Sequence, residues 1–130
     1  MNQLKHPLRA NGSFSLLSGI LLTLAPGTVS NWLSLDAPLL IRLFGVVLLG
    51  HALLLFWGAV QPNPRLFTTM NFFAIAPYPL GMIALVASGI IESALGRTLV
   101  LVDGAIIAAI ALWHWRALQT HRHSPAPLPA

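Results

Sequence analysis

Few side chains in this chain could do chemistry, and those that could sit where a charge or a loose proton is costly. Arg42, His51, Asp103 and His114 fall inside long apolar runs, and Tyr78 stands between two prolines in a third run. A lone charge in hydrocarbon costs a few kcal/mol unless it is paired, hydrated or able to snorkel, so Arg42 and Asp103 each need a partner or an exit. Set on two packed helices at similar depth, they would neutralise each other through charge-assisted hydrogen bonds. The sequence therefore predicts a buried Arg42–Asp103 pair. Such a pair either fixes helix register or works as a site, holding a polar headgroup or relaying a proton. In a third reading Arg42 snorkels to the outer surface.

At about 100° per residue, Asp103, Ile107, Ile110 and His114 form one helical stripe with a dry middle. Tyr78 would bring a phenol near mid-membrane, beside the carbonyls of Phe73 and Ile75 that Pro77 and Pro79 leave without donors. That lines a ligand cavity, or it is a packing kink whose hydroxyl bonds to a freed carbonyl. His51 and His114 raise the question of haem. They lie about 13 and 16 residues from the outer ends of their helices, and His51 falls roughly opposite Arg42 around its own helix, so no haem is expected. A histidine donating to a carbonyl or hydroxyl on a neighbouring helix is the plainer reading. His121 and His123 lack a third ligand and read as part of a solvated basic tail, so no metal and no other cofactor is expected. Cysteine is absent, which removes disulfides, thiolate metal sites and cysteine nucleophiles. No phosphate loop, metalloprotease helix, nucleophile elbow or carboxylate pair is present, so no catalytic residue is assigned.

The elements that must position these residues follow from composition. Of 130 residues 56% are hydrophobic and 8% charged, against roughly 25% charged in soluble domains. Mean hydropathy is +0.78. The clearest span is Pro38 to Val60, 23 residues that an α-helix would stretch across a hydrocarbon core of ~30 Å. The predicted fold is an all-α polytopic membrane protein, an antiparallel bundle of four transmembrane helices over 13–118. Residues 1–12 are read as a polar N-terminal segment and 119–130 as a disordered, proline-rich tail.

The first span is predicted over 13–33, with Pro26 kinking it and Trp32 anchoring its outer end. A basic start followed by apolar residues and Thr28-Val29-Ser30 also fits a cleaved signal peptide. Resumption of apolar residues at Trp32, Leu33 and Leu35 favours a retained helix. Asp36 would cap the second span, 38–60, which Pro62 and Pro64 stop. The third, 69–91, is expected to be kinked at Pro77-Tyr78-Pro79. Residues 92–97 read as the outer turn. The fourth span, 98–118, ends on Trp113, His114, Trp115 and Arg116, an aromatic and basic anchor. Pairs of small residues four apart, Ser15 with Gly19, Ala84 with Ser88 and Gly104 with Ala108, read as close-packing seams.

Lysine and arginine set the orientation. With both termini cytoplasmic, Lys5, Arg9, Arg65, Arg116 and Arg122 lie inside, and Arg42 and Arg97 lie outside. The expected location is the cytoplasmic membrane. The formal charge of +4 is spread along the chain rather than gathered on one face, which argues against a nucleic-acid partner. Aligning Gly45 with Gly104 sets two helices in register and leaves two readings open, a two-plus-two repeat or the common likeness of apolar helices.

Four short spans, Arg42 followed by Gly45 and Gly50 in the second and Asp103-Gly104 in the fourth resemble the small DoxX-like four-helix membrane proteins of bacteria. The resemblance covers most of the chain. It implies a four-helix bundle in the cytoplasmic membrane and carries over no catalytic residue. Two function classes follow. One is a non-enzymatic accessory or subunit bundle, taking a lipid or quinone-like molecule near Arg42, Tyr78 and His51, with the bilayer, a second copy or a larger membrane complex as partners. The other is a small proton-coupled transporter or membrane enzyme that uses Asp103 and a histidine.

Overall fold

The computed structural model describes residues 2–122, with side chains placed for residues 3–120. All regular elements among them are helices. The first, α1, runs from Asn2 to Leu24 and α2 from Pro26 to Leu33, the two meeting at Ala25 with a bend of 95°. Next come α3, Pro38–Val60, and α4, Arg65–Ile75, with α5, Tyr78–Ala87, following directly. Last is α6, Ala94–Arg122.

Three runs are long and apolar enough to cross a membrane: α3, α4 with α5 taken together, and α6; α1 with α2 makes a fourth if the bent pair counts as one. Their outward faces are uncovered by protein. In the most apolar stretch of α3, mean hydropathy is 2.3 and only 22% of residues are buried. Leu39, Leu43, Val47 and Leu54 stand exposed there, which is the pattern of a helix solvated by lipid. A multi-pass membrane protein fits this surface.

The start of α1 corrects the sequence reading. Residues 1–12 were expected to be a polar segment ahead of the first span, yet the helix begins at Asn2. Leu4, Leu8, Asn11 and Ser15, spaced 4, 3 and 4 apart, make one buried helical face interrupted in sequence by Lys5, His6 and Arg9. Leu8 packs with Leu55 and Ala59 of α3 and with Phe67 of α4. Pro7 is tolerated because it sits near the helix start and withdraws only the bond to Gln3. At the other end α6 continues to Arg122 where a tail was expected from 119; residues 123–130 lie outside the described residues.

The packing of α1 on α3 is the most extensive among the described helices and depends on glycine. A Cβ built on Gly45 would stand 2.6 Å from Thr23 Oγ1 and 2.7 Å from the Thr23 amide, and one on Gly19 would stand 2.9 Å from the Gly45 carbonyl. Backbones that approach this closely pack through dispersion, the main attraction between helices in lipid. On the far side α6 packs against α4 and α5, whereas α3 touches α4 and makes no close contact with α5. The bundle is therefore closed at the end holding α4 and open between α3 and α5.

The connections differ from expectation in ways that matter for that opening. Ala37, not Asp36, is the N-cap of α3, with Pro38 in the first turn and no side-chain cap. Ser93 caps α6 instead, its Oγ accepting from the Gly96 amide at 2.9 Å, so the last helix starts four residues before Thr98. The same hydroxyl donates to the Trp32 carbonyl at 2.6 Å. This ties the C-terminal end of α2 to the start of α6. Leu33 Cα also comes within 2.8 Å of where a Gly96 side chain would begin.

Candidate functional site, an apolar cavity beside a tyrosine and an aspartate

A cavity of about 390 Å³ fills the opening between α3 and α5. The bend at Ala25 brings α2 over it, with Val29, Trp32 and Leu33 in the wall, and α1, α3, α5 and α6 supply the rest. Its size lies in the range of pockets for small organic ligands. The wall is almost wholly apolar, and its polar side-chain groups belong to Ser18, Tyr78, Asp103 and the indole of Trp32.

Tyr78 begins α5, directly after the break at Pro77, and the break turns its ring toward α6. Its hydroxyl donates to Asp103 Oδ2 at 2.7 Å. Two expectations are thereby corrected. The phenol does not bond to a carbonyl freed by the prolines. Asp103 takes its hydrogen bond from Tyr78 and not from Arg42, which stands exposed in the second turn of α3. The physical reason is depth. Arg42 is only four residues from the helix start, so its long stem reaches polar surroundings without a partner, whereas the short Asp103 side chain must be met where it stands. Arg42 also lies outside the cavity wall, although its neighbour Ile41 lines it.

A second polar group lies toward the closed end and is built from residues that a count of charges passes over. Asn71 of α4 donates to His114 Nε2 of α6 at 2.9 Å and accepts from Asn11 Nδ2 of α1 at 3.2 Å. His114 Nδ1 faces the Ile110 carbonyl at 2.9 Å. A carbonyl only accepts, so the ring carries its proton on Nδ1 and Nε2 is the acceptor. All three side chains are buried, His114 completely. His51 of α3 is half-buried beside Asn71. Thr68 extends the polar strip, donating to the carbonyls of Pro64 and Leu4. Asn11 Oδ1 is buried without a hydrogen-bond partner.

Between cavity and cluster sits an apolar plug of Ile75, Ile107, Ile110 and Ala111, with Phe14, Phe72 and Tyr78 against it. Asp103 and His114 thus belong to separate places. Among the described residues no group of three or more His, Cys, Asp or Glu side chains is arranged to hold a metal ion.

Comparison with protein-family models, with curated proteins and with solved structures gives no match to this chain. Sequence reasoning singled out Tyr78 and Asp103 separately and did not pair them. It missed Asn11 and Asn71 as partners of His114. The available signal was a lone amide, Asn71, in an otherwise apolar run, together with Asn11 on the Leu4–Leu8 face.

Proposed function

We propose that this chain is a non-enzymatic membrane protein that holds a hydrophobic small molecule, lipid-like or quinone-like, in the cavity beside Tyr78 and Asp103. The observation that carries the reading is the cavity itself. A half-open apolar space of ligand size is bounded by five helices, with α2 tied across it. The remaining parts of the reading are a four-helix transmembrane bundle in the cytoplasmic membrane, both termini cytoplasmic, acting as an accessory subunit in a larger complex or as a homo-oligomer. A two-plus-two repeat and kinship with the DoxX-like proteins belong to the same proposal.

The test is purification in a mild detergent followed by native mass spectrometry and visible absorption. A bound molecule of defined mass should accompany the protein and be lost when Met82→Trp fills the cavity. Recovery of the same molecule with both proteins, or of none, overturns the proposal. Proton transfer between Asp103 and a histidine is the second class, and the plug of Ile107 and Ile110 weighs against it because no polar side chain bridges that stretch of α6.

A further inference from the structure

The chemistry of the cavity wall selects among hydrophobic ligands, and the selection rests on the cavity reading above. We infer that the occupant is a lipophilic cation, an apolar body carrying a protonated amine that meets Asp103. The wall contains one carboxylic acid and no lysine, arginine or histidine. Tyr78 spends its hydroxyl proton on Asp103 Oδ2, so the pair presents acceptors to the cavity, chiefly the other carboxylate oxygen and the phenol lone pairs. The Ser18 hydroxyl and the Trp32 indole N–H are neutral donors, so a ketone or ester finds no charged donor there and leaves the carboxylate without a counter-ion. A ligand that donates and carries positive charge satisfies the carboxylate and supplies the counter-ion that the protein withholds. The aromatic rings agree with this. Trp32, Phe44 and Tyr78 share the wall with Asp103, and aromatic faces attract organic ammonium groups.

Among the described residues, the other polar places point to no ligand. The Asn11–Asn71–His114 cluster is enclosed by packed side chains, Arg42 stands exposed, and Arg97 is exposed with its guanidinium donating to the Glu92 carbonyl.

The experiment compares 1-aminoadamantane, charged at pH 7, with 1-hydroxyadamantane, its neutral isostere, by isothermal titration calorimetry on the full chain in a non-ionic detergent. Both have the same cage and both donate a hydrogen bond, so charge is the difference. The amine should bind at least about tenfold more tightly, the ratio expected when a charge-assisted bond replaces a neutral one. Asp103→Asn should erase that preference while leaving the alcohol's affinity within a few-fold, and Asp103→Glu should keep it. Equal affinities for the unmodified chain overturn the cation inference and leave the hydrophobic cavity standing. Failure of both probes to bind, in a chain whose folding is verified by circular dichroism, overturns the inference together with the cavity reading. The comparison on the unmodified chain decides even if a variant misfolds.

Discussion

At the scale of single residues, polar side chains in this protein are matched by depth rather than by charge. Asp103 is met by Tyr78 because a phenol on the facing helix reaches it at 2.7 Å, while Arg42 has its own route to the surface. Thermal unfolding in detergent should therefore show Arg42→Leu and Asp103→Leu to be additive within about 0.5 kcal/mol, as for sites without a shared partner. Tyr78→Phe and Asp103→Leu should instead couple, because either change breaks the same bond. Additivity of that second pair would remove the bond. In the buried cluster, Asn71 serves two interhelical bonds, and such bonds in membrane proteins contribute about 0.5–2 kcal/mol each. Asn71→Leu should destabilise by roughly 1–3 kcal/mol, and adding Asn11→Leu and His114→Leu should restore part of the loss, since the stranded polar groups go too. These amides were hard to read in the sequence for a plain reason. Burial of a charge is costly enough to announce itself, whereas an amide is cheap to hide once a second amide meets it.

Helices are where the sequence was most legible and their junctions least. The span from Pro38 to Val60 ends where its prolines said it would, because proline acts locally at both boundaries. The break at Pro77 was equally plain. The 95° turn at Ala25 and the helical N-terminus were not, since both are decided by what the chain packs against. Leu4 and Leu8 become a helix face only when α3 and α4 are there to cover them. The glycines divide in the same way. Gly45→Ala should cost several kcal/mol in thermal stability, because backbone and a β-branched side chain of α1 stand within 2.7 Å of the new methyl and cannot swing aside. Gly50→Ala faces open space and should be neutral or stabilising by up to about 1 kcal/mol through helix propensity alone. A similar response at both positions would mean that α1 and α3 are not in this contact.

At the scale of the whole molecule, the helices sort the basic residues between two ends. The bond from Thr68 to the Leu4 carbonyl marks one end, where α1 begins, α3 passes to α4 and α6 finishes; the bond from Ser93 to the Trp32 carbonyl marks the other. By position in the chain, Lys5, Arg9, Arg65, Arg116 and Arg122 belong to the first end, and Arg42 and Arg97 to the second. Lysine and arginine near short loops resist translocation, so the imbalance of five to two predicts that the first end faces the cytoplasm, the orientation proposed above. In that orientation the cavity, roofed by α2, would open in the outer half of the bilayer, with Trp32 toward the interface. A reporter enzyme that is active only outside the cytoplasmic membrane should be silent when fused after Thr120 and active when inserted between Leu35 and Asp36. The reverse pattern would invert the molecule and put the Asp103 cavity on the cytoplasmic side. Activity at both positions would mean an even number of crossings between those points, so that one of α3, α4 with α5, or α6 does not span the membrane.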